Sequence, residues 1–154
     1  MSKKKQQKVL QSLTLTFKLA HVWENFLDQY LKSTNITIKQ FLLLLTIRDK
    51  FDNHPAISDL AVETESSHQN IKQIALQLKN KNFVQFKKDP TDKRYLRIII
   101  TNAGNKFIEM HMNEITTLFT KIFKKEKSKD VQKLNELLTE LIGQSKKRLI
   151  RISE

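Results

Sequence analysis

Apolar residues recur at helical intervals early in the chain, at Leu10, Leu13, Phe17, Ala20, Leu27 and Leu31, with Val22, Phe26 and Tyr30 widening the stripe. The spacing predicts a first helix from about Gln6 to Lys32, preceded by a basic tail. Ser33 to Ile36 interrupts the pattern, and Thr37 stands where an N-cap would open a second helix carrying Phe41, Leu44, Leu45 and Ile47. That helix ends before His54-Pro55, because proline pushes the preceding residue out of helical geometry. A short helix fits Ser58 to about Glu63, and after a tight turn Ser67 caps a longer one to about Lys81. Its buried face is Ile71, Ile74, Ala75 and Leu78, and its other face is His68, Gln69, Asn70, Lys72, Gln73 and Gln77. Two helices this close, the second polar and basic on one side, have the form of a helix-turn-helix.

The period then changes. Phe83 to Phe86 and Tyr95 to Ile100 are rich in aromatic and β-branched residues, and Lys87 to Arg94 between them carries turn chemistry at Asp89-Pro90-Thr91-Asp92. A β-hairpin with a basic tip follows. Thr101 caps a helix with the stripe Phe107, Ile108, Ile115, Leu118, Phe119 and Ile122. A charged break from Lys124 to Asp130 precedes a last helix with Val131, Leu134, Leu137, Leu138, Leu141 and Leu149. The expected fold is mainly α, with a small two-stranded wing. The Lys-rich start and the Lys-rich break read as solvated linkers.

Composition narrows the chemistry. With 154 residues the chain can bury one core. A net charge of +12 draws polyanions. No apolar run reaches the roughly 18 residues of a membrane span, and Met1 to Lys8 lacks the apolar core of a signal peptide, so a cytoplasmic protein without a membrane partner is expected. There are no cysteines, which removes disulfides, thiol nucleophiles and thiolate zinc sites. His21, His54, His68 and His111 do not pair at helical spacing, so no metal or other cofactor is expected. No nucleophile elbow, zinc-protease motif or phosphate-binding glycine loop occurs, and with 2 glycines none could be built in the usual way. An enzyme is not expected.

Between Ser66 and Arg97 lie eight basic residues, Lys72, Lys79, Lys81, Lys87, Lys88, Lys93, Arg94 and Arg97, against only Asp89 and Asp92. Half of the net charge therefore falls on the helix-turn-helix and hairpin. Gln and Asn pair bidentately with adenine, and His, Ser and Lys reach base edges or phosphates, so Ser67, His68, Gln69, Asn70, Lys72 and Gln73 fit a major groove. Arg94 at a hairpin tip suits a narrow A·T-rich minor groove. Lys79, Lys87, Lys88 and Lys93 would neutralise phosphates. Asp92 is expected to hold Lys93 or Arg94 and to cap the hairpin backbone. Trp23, His21, Phe17 and Phe41 could line an aromatic ligand cleft, although aromatics at helical spacing also serve as core.

The run Asp89-Pro90-Thr91-Asp92-Lys93-Arg94, ending in Ile100-Thr101-Asn102-Ala103-Gly104, resembles the MarR family of bacterial regulators. So do Ser58-Asp59-Leu60-Ala61, Ser67, Leu78, Phe83-Val84 and Thr37-Ile38-Lys39-Gln40-Phe41. The resemblance covers nearly the whole chain and implies a single domain over residues 1–154. Residues 1–34 and 102–154 would form a helical dimerisation region, and residues 35–101 the winged helix-turn-helix lobe. It also implies a homodimer, usually a repressor, that releases DNA when a small anionic or phenolic effector binds between the two parts. The helix beginning at Ser67 is then the recognition helix, and Asp92 and Arg94 are the wing's matching pair. Two recognition helices roughly 34 Å apart would read a palindromic operator in double-stranded DNA.

Three positions depart from the family pattern. Glu65 stands where a glycine is usual, so the turn before Ser67 is expected to be built differently. Asn82 replaces another common glycine and is mild, since Asn accepts left-handed geometry. Leu76, often polar, is expected to pack on the first helix or to lie exposed. The apolar stripes of the first, fifth and sixth helices exceed what so small a lobe can cover, which also calls for a second chain. The alternatives are a nonspecific or architectural nucleic-acid-binding protein, for which the lysine excess speaks, and a membrane-surface or protein-partner module.

Overall fold

The computed structural model describes residues 2–152, with side chains for residues 2–148. Its elements are α1 (Lys3–Leu31), a single 3-10 turn (Lys32–Thr34), α2 (Ile38–Lys50), α3 (Ile57–Glu63), α4 (His68–Asn80), β1 (Val84–Lys88), β2 (Leu96–Ile100), α5 (Asn102–Ile122) and α6 (Ser128–Ile152). The mainly α architecture with one antiparallel hairpin is the one expected. The chain divides into two compact units, residues 1–110 and 111–154.

The anticipated caps are in place. Thr37 Oγ1 accepts from Gln40 N at 3.3 Å while Gln40 Oε1 accepts from Thr37 N at 3.3 Å, a capping box. Ser67 Oγ accepts from Asn70 N at 3.1 Å, and Thr101 Oγ1 from Gly104 N at 3.1 Å. Caps of this kind contribute about 1 kcal/mol each. The core of the first unit is the convergence of the predicted stripes: Leu31, Phe41, Leu44, Ile47, Leu60, Ile71, Ala75, Leu78, Val84, Ile98 and Ile108 are all buried. The Phe107 ring packs edge-on to Phe41 and lies 4.8 Å from Phe83.

Several expectations change. The basic stretch read as a tail and solvated linker is helical from Lys3, because Lys and Gln are good helix formers and Ser2 Oγ caps the first turn at Lys5 N. The first strand begins at Val84 and extends to Lys88, so Lys87 and Lys88 lie in the strand and only residues 89–95 form the tip. Phe83 is spent closing the end of α4. The last helix begins at Ser128, three residues before Val131. Leu149, counted in its apolar stripe, lies outside the residues with described side chains.

The two glycines are both helical, and one has a packing reason. A Cβ on Gly104 would sit 2.3 Å from the Phe83 carbonyl oxygen and 2.8 Å from Ile100 Cγ2. Only glycine lets the start of α5 approach the base of the wing this closely. Thr101 fastens the same junction, its N donating to Phe83 O at 3.0 Å and its hydroxyl to Asn82 O at 2.7 Å.

Candidate nucleic-acid interface

The turn between α3 and α4 is a Schellman motif. Ser66 N donates to Ala61 O at 3.0 Å and Glu65 N to Val62 O at 3.3 Å, with Glu65 in the left-handed region at φ 51°. The expectation that Glu65 forces a different turn is therefore overturned. The chain keeps the glycine-type geometry, and the hydrogen bonds across the turn offset a strain of about 1 kcal/mol. The end of α4 repeats the device: Phe83 N donates to Leu78 O at 3.0 Å and Asn82 N to Lys79 O at 2.9 Å, with Asn82 at φ 61°.

Burial of Ile71, Ala75 and Leu78 turns the opposite face of α4 outward. His68, Gln69, Asn70, Lys72 and Gln73 are all exposed on it, as is the capping residue Ser67. The first turn of α4 carries no acidic residue, so its N-terminal dipole stands unneutralised there. Asn70 is partly committed, because its amide donates to Ser66 Oγ at 2.7 Å. Leu76 lies exposed, at the second of its two expected positions.

The wing pairs Val84 with Ile100 through Lys88 with Leu96. Its far edge is extended by residues 55 and 56: Ile98 N donates to Pro55 O at 2.9 Å, and Ala56 bridges to Arg97. The tip is closed by Asp89, whose Oδ1 accepts from Thr91 N at 2.7 Å, Thr91 Oγ1 at 2.5 Å and Asp92 N at 3.0 Å. Its Oδ2 accepts from Arg97 Nε at 2.5 Å. The Thr91 hydroxyl foremost, then the Asp92 N–H, Arg97 and the Thr91 N–H, hold the Asp89 carboxyl well below the usual carboxylate range.

Asp92 takes the part expected of it. Its carboxylate accepts Arg94 Nε at 3.0 Å and Nη2 at 2.7 Å, and its Oδ1 also accepts the Arg94 backbone N–H at 3.0 Å. The Arg94 pairing lowers the Asp92 carboxyl, and Asp92 in turn raises the Arg94 guanidinium. Although clamped at one edge, the Arg94 side chain is 84% exposed. Lys87, Lys88 and Lys93 are exposed alongside. Lys79 leans on the wing, with Nζ 5.3 Å from the Phe86 ring centre.

The four aromatic-cleft candidates are placed differently from one another. Phe17 is 70% exposed on α1, whereas Phe41 is 1% exposed in the core. His21 is exposed and accepts the Asn25 amide at Nε2, 3.1 Å, and Trp23 is half-buried.

Two features escaped the sequence. Arg97 joins Asp89 and also reaches Asp59 Oδ2 at 3.3 Å, and Asp59 Oδ2 in turn accepts Ala56 N at 2.8 Å, fixing the start of α3. A lone charge in the apolar run from Leu96 to Ile100 was the available signal. The second is Gln40, buried at 4% exposure and bonded to Gln77 and Lys81. Its spacing to Leu43, Leu44 and Ile47 on the core face of α2 could have revealed it.

No family model and no curated relative matches the chain, but solved structures do. MepR of S. aureus in complex with DNA aligns at 17% identity and TM-score 0.75, over 84% of this chain and 93% of that one. A mutant MarR from E. coli complexed with operator DNA aligns at 21% identity and TM-score 0.76, over 87% and 95%. The regulator BldR from Sulfolobus solfataricus aligns at 19% identity and TM-score 0.80, over 94% and 99%. Nearly the full length of each regulator is spanned, and the chain accordingly has the winged-helix fold of the MarR-type regulators.

Proposed function

We propose that this protein is a sequence-specific double-stranded-DNA-binding transcriptional regulator, a repressor that acts as a homodimer on a palindromic operator. The observation that carries the reading is the coincidence of an outward polar face on α4, free of acidic residues, with a wing presenting Arg94, Lys87, Lys88 and Lys93. Gln69 and Gln73 would read base edges in the major groove, with Asn70 using the carbonyl oxygen left to it. Arg94 would enter the minor groove, held at the right height by Asp92. That solved proteins of this fold include a complex with DNA and one with operator DNA supports the same assignment.

The dimer is supported by surface that a monomer leaves wet. On α1, Leu10, Leu13, Leu15 and Phe17 are exposed, and on α6 so are Leu137, Leu138, Leu141 and Ile142. Between α5 and α6 an open groove of about 730 Å³ is lined by Met112, Ile115, Phe119, Phe123 and Val131. Covering such faces is what a second chain would do. A small anionic or phenolic effector completes the reading, with Phe17, His21 and Trp23 as candidate contacts, whereas Phe41 is buried in the core. No catalytic step is part of it, and a cytoplasmic location follows from the role. Among the described residues no helix is long and apolar enough to cross a membrane.

Selection from a random duplex pool tests the reading. Enrichment of an inverted repeat with half-site centres about ten base pairs apart is expected. A pool that stays random after several rounds contradicts it and leaves a nonspecific binder.

A further inference from the structure

Gln40 and Asp89 are the buried polar side chains of the described residues, and Gln40 bonds across to the end of α4. Its Nε2 donates to Gln77 Oε1 at 2.7 Å, and its Oε1 accepts Lys81 Nζ at 2.9 Å. The Lys81 ammonium also donates to the carbonyl of Asn35, the left-handed residue (φ 57°) between the 3-10 turn and α2. Asp28 of α1 accepts from Ile38 N, the first residue of α2, at 2.7 Å. A continuous polar path thus runs from α1 through the start of α2 to the last turn of α4. Gln77, which the sequence placed on the polar face of that helix, and Lys81, counted among the basic residues of the helix-turn-helix and hairpin, have partners within the lobe instead.

We infer that Gln40, Gln77 and Lys81 are positioning residues for recognition, a latch that fixes the angle of α4 against α1 and α2 without touching DNA. The inference rests on the reading of α4 as the recognition helix. Apolar contacts at Ile71, Ala75 and Leu78 hold α4 in the lobe but are non-directional, whereas hydrogen bonds tolerate only a few tenths of an ångström. Gln77 lies nine residues from His68, about 13 Å along the helix. A swing of roughly 10° about the latch moves the reading end by about 2 Å, more than a base-edge hydrogen bond survives.

Operator and random-duplex affinities of Lys81→Met, Gln77→Leu and Gln40→Leu, measured over a salt series, test the latch. Each variant is expected to lose about tenfold or more on the operator selected by the wild type. Random-duplex affinity should hold within about twofold, with an unchanged salt slope. Lys81→Arg, which can donate to both acceptors, should restore operator preference. The Lys81→Met and Gln40→Leu losses should not add in the double variant. Melting temperatures that fall while the operator-to-random ratio stays at the wild-type value overturn the latch, because the trio is then merely structural. A salt slope shallower by about one in Lys81→Met also overturns it, since Lys81 would then be a phosphate contact. A wild-type protein with no operator preference removes the regulator reading itself, and that is seen before any substitution is made.

Discussion

Arg97 Nε donates to Asp89 Oδ2 at 2.5 Å, and the same guanidinium reaches Asp59 at 3.3 Å, so one side chain of β2 ties the wing tip to the start of α3. The Asp89 carboxylate does the rest, gathering Thr91 and Asp92 into the turn. Its titration is depressed in the folded protein, so its contribution is complete above the unfolded value near 4 and is lost as pH falls through the lower folded value. The difference in melting temperature between wild type and Asp89→Asn should be constant from pH 5 to 8 and shrink below about pH 4. A difference that persists unchanged down to pH 2 contradicts the pairing.

Asp92 and Arg94 should behave as one unit. Arg94→Ala is expected to lower operator affinity by about tenfold or more and to weaken the preference for A·T flanks. Asp92→Asn should cost less, since the arginine remains but is no longer aimed. The double variant should resemble Arg94→Ala alone. Additive losses in a duplex-binding cycle would mean that the clamp has no part in presenting Arg94.

Two backbone positions should respond in opposite directions. Gly104→Ala puts a methyl 2.3 Å from the Phe83 carbonyl and should destabilise by about 1–3 kcal/mol. Glu65→Gly relieves a left-handed residue at φ 51° and should stabilise by about 1 kcal/mol. Urea unfolding of the two variants decides both, and a stable Gly104→Ala protein would contradict the close approach.

Helix order, caps and wing were legible because each has a local cause. Thr37, Ser67 and Thr101 stand at the start of apolar stripes and cap there, and Asp92 lies two residues from the arginine it holds. What was not legible depends on residues far apart in the chain. Arg97 meets Asp59 across 38 positions, and Gln40 meets Lys81 across 41. Pattern shows that Arg97 is charged in an apolar strand, but only the packing of α3 against the wing supplies Asp59 as its second partner. Glu65 illustrates another limit: residue preference argued against the left-handed turn, and the hydrogen bonds from Ser66 and Glu65 to α3 decided it.

Removing the last helix should expose the dimerisation claim. A chain truncated after Asp130 is expected to aggregate or to sediment as a monomer that binds the operator weakly, whereas the intact protein is expected to sediment as a dimer. An intact protein that stays monomeric at micromolar concentration contradicts the assignment of the apolar faces of α1 and α6.

The central claim is that α4 reads bases in the major groove while the lysines of the wing bind backbone, and one measurement separates the two. Affinities of wild type, Gln69→Ala, Gln73→Ala and Lys87→Ala for the selected operator and for random duplex are compared across a salt series. Gln69→Ala and Gln73→Ala should each relax choice at one symmetric pair of base positions and leave random-duplex binding almost intact. Lys87→Ala should weaken both duplexes alike and shallow the salt slope by about one unit per site. Equal weakening of both duplexes by all three substitutions would contradict the account.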